Sequence, residues 1–155
     1  MPITESAPIK TAMSPYGNTK QICEEIISDT CAVSDVRSIL LRYFNTIGAH
    51  NTAELGELPS GVTQNLVPFI TQTAAGLREQ LRVFGNDYPT PDGSNIRDYI
   101  HVVDLAKAHV ISLKRLLSEE NASDLEVFNI GTGRGSSVLE VIHAFEKVTD
   151  QKLNY

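Results

Sequence analysis

The sequence predicts an α/β fold with parallel strands, and three observations predict it. Short apolar runs alternate along the chain with segments of helical spacing, which is the pattern of strand-crossover-strand units. The clearest run, VRSILLRYFN, is bounded by polar residues and reads as a strand buried in a parallel sheet. At 155 residues, with 41% apolar and 21% charged residues, the chain has the length and composition of an ordinary globular domain with a real core.

The elements follow in order. The first dozen residues, with Pro2 and Pro8 and little periodicity, read as loop. Ser14 is a good N-cap and Pro15 suits the first helical position, and Ile22, Cys23, Ile26, Ile27 and Cys31 continue a helix from there. Val36–Asn45 is the first strand. The stretch from Ile47 to Val62 has glycines and no period, so it is expected to be a long loop of the kind that usually carries function. A second helix is expected over Leu66–Ala75 and a short strand over Leu81–Phe84. Gly85–Asn95, dense in turn residues, should be irregular. A third helix fits Val103–Leu117, with Leu105, Ala106, His109, Val110, Leu113 and Leu117 on one stripe and His109 packed in the core. A strand over Glu126–Ile130 and a glycine-rich turn come next. Ser137 and Glu140 form a capping box for a last helix bearing Val138, Val141, Ile142, Phe145 and Val148. The closing KLNY reads as the opening of a further strand. With a loop at one end and a strand opening at the other, the chain is expected to be part of a larger fold.

Charge and composition narrow the partners. The net charge of −6 is spread along the chain, and no Lys/Arg cluster could track a phosphate backbone, so nucleic acid is not an expected partner. No apolar run approaches the length of a membrane span, and the N-terminus lacks the apolar core of a signal peptide. The expected compartment is the cytoplasm, with no membrane association. Cys23 and Cys31 lie eight residues apart on one helix, roughly 12 Å along its axis, too far for a disulfide, and both are expected to be buried thiols. The four histidines, His50, His101, His109 and His143, lack metal-ligand spacing, so no metal site is expected.

The stretch SPYGNTK puts Tyr16 and Lys20 four residues apart, on one face of a helix, where both heads can reach the same ligand. A phenol is a poor base at neutral pH, and a neighbouring cation favours its phenolate form. The spacing alone arises often by chance and also fits an ordinary surface pair.

SPYGNTK is followed, in this order, by RYFNTIGAH, NLVPFI, FGNDYPTPDGSNIRDYIHVVDLAKAHV and FNIGTG. This set resembles the UDP-glucose 4-epimerases, a family of extended short-chain dehydrogenase/reductases, over essentially the whole chain. The resemblance implies a partial Rossmann-like α/β fold: residues 1–45 would end the dinucleotide-binding region, and 46–155 would be mostly the substrate-binding region. It implies interconversion of UDP-glucose and UDP-galactose through a 4-keto sugar, with tightly bound NAD. Tyr16 matches that family's catalytic base, and Lys20 the lysine that tunes it and holds the nicotinamide ribose. Phe44 matches a residue lining the nicotinamide, and Asn45 one that hydrogen-bonds the sugar nucleotide. Asn65 matches a residue touching the diphosphate, Arg82, Val83 and Phe84 the wall of the uridine pocket, and Arg97 the diphosphate-binding arginine. Without the family, Arg97 beside Asp98 reads as a structural ion pair. The family's equivalent of the Tyr16 helix packs on its twin in a homodimer, whereas the stripe alone fits burial within one chain equally well.

GTGRGSS follows a strand and precedes a helix, as a dinucleotide-binding loop would, yet its third glycine position is Ser136, and the resembled family does not bind NAD there. Only fifteen residues precede Tyr16. The family's NAD fingerprint, first strands and catalytic Ser or Thr lie further upstream than that. The dinucleotide-binding half is therefore expected to be missing, and the chain alone to be inactive. Two alternatives remain at this stage: another NAD-dependent nucleotide-sugar epimerase, dehydratase or decarboxylase, and a non-catalytic sugar-nucleotide-binding module.

Overall fold

A computed structural model describes residues 3–57, 59–63 and 65–155. Nine elements follow in chain order: α1 (Pro15–Val33), β1 (Ser38–Tyr43), β2 (Asn45–Ile47), α2 (Leu66–Ala74), β3 (Ile96–His101), α3 (Val102–Leu117), β4 (Leu125–Ile130), β5 (Gly135–Ser137) and α4 (Val138–Thr149). They fall into two compact units, the first from Met1–Tyr43 and Asp104–Ile130, the second from Phe44–Val103 and Gly131–Tyr155. The α/β class with parallel strands is borne out.

In the first unit β1 and β4 pair in parallel, Ser38 opposite Leu125 through Tyr43 opposite Ile130. The helix α1 starts where capping chemistry places it, with the Ser14 hydroxyl accepting from the Gly17 N–H at 3.0 Å. Arg42 of β1 holds α1 through a forked pair with Glu24, Nε to Oε1 at 2.9 Å and Nη2 to Oε2 at 2.5 Å. Arg115 does the same for α3 against β4, Nε to Glu126 Oε2 at 2.7 Å and Nη2 to Oε1 at 2.8 Å. The Ala122 N–H adds a third donor to Glu126 at 3.0 Å. The opening loop is tied down by Asn129, whose N–H donates to the Glu5 carboxylate at 2.8 Å and whose side chain donates to the Ile3 carbonyl at 2.8 Å.

Two expectations fail in this unit. The α3 stripe is not a core: Leu105 is buried, but Val110, Leu113 and Leu117 are 53%, 57% and 75% exposed. His109 is exposed as well, its Nδ1 resting on the Leu105 carbonyl at 2.8 Å. The reason is geometric, because two strands about 5 Å apart make a sheet narrower than a helix of roughly 10 Å diameter. Cys31 is buried as expected, whereas Cys23 is exposed on α1.

The second unit has a three-stranded sheet in the order β2-β3-β5. There β2 runs parallel to β3, Asn45 opposite Tyr99, and β5 runs antiparallel to β3, Ile96 opposite Ser137. Its core is Ile70, Leu81 and Ile142, packed by Phe69, Val83, Leu139, Phe145 and Leu153. The capping box forms as the sequence predicts: the Glu140 N–H donates to the Ser137 hydroxyl at 3.0 Å, and the Ser137 N–H to Glu140 Oε2 at 2.8 Å.

Here too the sequence expectation needs correction. Val36–Asn45 is not one strand, because pairing breaks at Phe44 and Asn45 opens β2. Leu81–Phe84 belongs to no sheet and has no regular structure, and KLNY is likewise irregular. These two segments meet, Leu81 N–H to the Asn154 carbonyl at 2.8 Å and the Asn154 side chain to the Glu79 carbonyl at 2.8 Å. A pair of such contacts satisfies the local backbone without building a ladder. The strands β3 and β5 lie where sequence periodicity is weakest, at the charged Arg97-Asp98 pair and in the GTGRGSS turn.

Candidate functional site

Tyr16 and Lys20 stand on α1 in the first unit, and both are exposed. The Lys20 ammonium lies 5.2 Å from the centre of the Tyr16 ring, a cation resting on the aromatic face. Among the described residues Lys20 forms no salt bridge, so its charge is not spent on a structural carboxylate.

The remaining predicted residues belong to the second unit. Arg82, Val83 and Phe84 line one wall of an open cavity of about 610 Å³, together with Gln80, Leu81, Gly85, Asn86, Asp92, Ser94, Leu139 and Tyr155. That volume suits a small ligand. Phe84 is 78% exposed and Arg82 is exposed, so an aromatic face and a guanidinium are available to a ligand there, while Val83 packs on the core beneath. A serine-aspartate network holds another part of the lining. Asp92 Oδ1 accepts from the Ser94 N–H at 2.9 Å and the Ser94 hydroxyl at 2.8 Å, and Asp92 Oδ2 accepts a short hydrogen bond from Ser137. The Ser137 hydroxyl and then the Ser94 amide hold the Asp92 carboxyl below its ordinary range.

Arg97 is exposed on β3 and does not pair with Asp98. Its Nη1 donates to Asn95 Oδ1 at 3.1 Å and to the Ile96 carbonyl at 3.2 Å, leaving most of the fork open. Asp98 is engaged elsewhere, accepting from the Thr132 hydroxyl at 2.6 Å, the Thr132 N–H at 3.0 Å and the Gly133 N–H at 2.9 Å. Burial raises the Asp98 pKa, but the Thr132 hydroxyl and the two amides outweigh it and leave the carboxyl below its ordinary range. The donors of the GTG turn that would cradle a phosphate are thus turned on an internal carboxylate.

Phe44 is half-buried beside Gly131, where a β-carbon would come within 2.6 Å of both the Phe44 ring and Asp98 Oδ2. Asn45 is exposed at the start of β2. Asn65 is the N-cap residue of α2 but makes no capping bond, and its side chain donates instead to Glu57 at 3.0 Å. The structure therefore gathers Arg82, Val83 and Phe84 at one cavity and sets Phe44 beside the Asp98 clamp. It holds Asn45, Asn65 and Arg97 outside the cavity lining. Sequence reasoning missed Asp92, Ser94, Leu139 and Tyr155 at the cavity, and Thr132 with Gly133 on Asp98. No local signal marks them, because Asp98 and Thr132 are 34 residues apart.

Known proteins provide a comparison. A model of the NAD dependent epimerase/dehydratase family matches residues 1–131. A Bacillus subtilis protein named UDP-glucose 4-epimerase is 50% identical over 155 residues, covering 99% of this chain and 44% of that protein. The Mus musculus UDP-glucose 4-epimerase is 46% identical over 156 residues, again covering 44% of its own length. A solved UDP-glucose-4-epimerase from Stenotrophomonas maltophila, with bound NAD and formylated UDP-arabinopyranose, superimposes with a TM-score of 0.93 at 47% identity, covering 99% of this chain and 45% of that one. The Bifidobacterium longum UDP-glucose 4-epimerase in complex with NAD+ and UDP gives 0.91 at 44% identity, covering 100% of this chain and 45% of that one. The chain spans a little under half the length of these relatives.

Proposed function

The chain belongs to the NAD dependent epimerase/dehydratase family, and on that premise we propose that it supplies the tyrosine-lysine pair and the UDP-sugar wall of a UDP-glucose 4-epimerase. One observation carries this reading. Tyr16 and Lys20 lie together on an exposed face, 5.2 Å from ring to ammonium, in a chain half identical to a relative with that name. The reaction would interconvert UDP-glucose and UDP-galactose.

Each residue has a task in the proposal. The Tyr16 oxygen takes the proton of the sugar 4-hydroxyl and later returns it, a step worth about 10²–10⁴ in rate. Lys20 keeps a cation beside that oxygen and holds the nicotinamide ribose, with Phe44 against the nicotinamide. The exposed, uncommitted Tyr16 and Lys20 heads fit a dinucleotide lying on this face. NAD, when bound, supplies the hydride acceptor that allows a 4-keto sugar to form and be reduced on its other face. Asn45 hydrogen-bonds the sugar nucleotide, Asn65 and Arg97 take the diphosphate, and the Arg82, Val83 and Phe84 wall takes the uridine.

The test is conversion of UDP-galactose by a protein of the relatives' full length. Tyr16→Phe should lower kcat by about 10² or more with little change in UDP affinity. Undiminished turnover in that variant would remove Tyr16 from the chemistry. The proposal also holds that this chain alone is inactive, since it spans under half of its relatives. Isothermal titration with NAD should show no tight binding, and tight binding would refute that part. A homodimer through α1, where Ile22, Ile26 and Val33 are 43%, 60% and 86% exposed, belongs to the same proposal and is tested by light scattering. So does a cytoplasmic location: among the described residues no helix is long and apolar enough to cross a membrane.

A further inference from the structure

We propose that Asp98 is the positioning residue for Arg97, acting through the Thr132-Gly133 turn. This rests on the reading of Arg97 as the diphosphate ligand. Arg97 lies where β3 has little support of its own. The antiparallel pairing with β5 is three residues long, Ile96 to Asp98 against Ser137 to Gly135, and the pairing with β2 starts only at Tyr99. Among the described residues the guanidinium hydrogen-bonds only its neighbours Asn95 and Ile96, so the backbone of 96–98 sets its aim.

Asp98 supplies the missing support. Successive side chains on a strand point to opposite faces, so Asp98 turns away from the side that Arg97 serves. It accepts from Thr132 and Gly133, three and two residues ahead of the Gly135 that it faces across the ladder. A carboxylate only accepts, which matches a ring of donors; an amide in its place would set an N–H against an N–H. A β-carbon at Gly131 would come within 2.6 Å of this carboxylate and of the Phe44 ring, so the turn that donates to Asp98 also lies beside Phe44.

UDP titration calorimetry on this chain, with amide hydrogen exchange, tests the inference. Asp98→Asn and the milder Thr132→Val should each weaken UDP binding about tenfold, the scale of one lost charge-assisted hydrogen bond. In an Arg97→Ala background Thr132→Val should cost almost nothing further, because Thr132 and Asp98 act through Arg97. Amides over Ile96–Asp98 should lose protection in both single variants. The proposal is overturned if UDP affinity stays within twofold of wild type in both variants, or if the loss persists undiminished without Arg97. Unchanged exchange over Ile96–Asp98 overturns it regardless of UDP. By contrast, wild-type affinity for UDP in Arg97→Ala would sink the reading of Arg97 itself, while the exchange result still judges the clamp.

Discussion

Replacing Gly131 with alanine adds one methyl group at the point where Asp98 and Phe44 converge. The new β-carbon would stand 2.6 Å from Asp98 Oδ2 and 2.6 Å from the Phe44 ring. Neither neighbour is free to give way, since Asp98 is held by Thr132 and Gly133 and the ring is half-buried. Overpacking of this kind costs about 1–3 kcal/mol. Gly131 is not among the positive-φ glycines, so alanine gains about 0.4–1 kcal/mol from a less disordered unfolded chain. The net destabilisation is roughly 1–2 kcal/mol, a fall in Tm of about 2–8 °C for a chain of this size. Gly56→Ala is the control, because among the described residues its β-carbon meets only Ala49, at an ordinary 3.5 Å, and should hold or slightly raise Tm. Thermal melts followed by circular dichroism read both variants. If Gly131→Ala melts at or above wild type, as Gly56→Ala should, the convergence of Asp98 and Phe44 on Gly131 is wrong.

Ile142→Ala empties a fully buried core position of the second unit and should cost about 2–5 kcal/mol in urea unfolding. Ser137→Ala removes both the α4 cap and the partner of Asp92, so it should cost at least the ~1 kcal/mol of an ordinary cap, read as a lower urea midpoint. The Arg115 fork, then the Ala122 amide, lower the Glu126 pKa from 4.5 to about 2. Its contribution is therefore complete above pH 4.5 and lost as pH falls from there through about 2. The midpoints of wild type and Glu126→Gln should differ at pH 7 and converge near pH 2, and a gap that persists at pH 2 would contradict the assignment.

Much of the fold was legible because its signals are local. Ser14 with Pro15 marked the start of α1, and Ser137 with Glu140 marked α4, since each cap is chemistry between residues at most three apart. Val36–Asn45 and Glu126–Ile130 announced β1 and β4 by their apolar runs, although the break at Phe44 did not show. The strands β3 and β5 were illegible because neither has an apolar period. Leu81–Phe84 looked like a strand because of its apolar residues, but Leu81 and Val83 pack with Ile142 and Ile70 while Phe84 stays exposed.

The sequence by itself determined the helices, the runs that hold β1 and β4, the tyrosine-lysine spacing and the motif set that resembles the family, all of which are properties of short windows. The tertiary structure alone decided which charges are committed. From the sequence, Arg97 and Asp98 could have been partners, and GTGRGSS could have been a phosphate cradle. Strand alternation sends the two side chains to opposite faces. The fold then brings Thr132 and Gly133 to Asp98 across 34 residues, filling the cradle with a carboxylate and leaving the guanidinium open. A carboxylate goes to the donors that surround it, and chain folding, not sequence proximity, sets which donors those are.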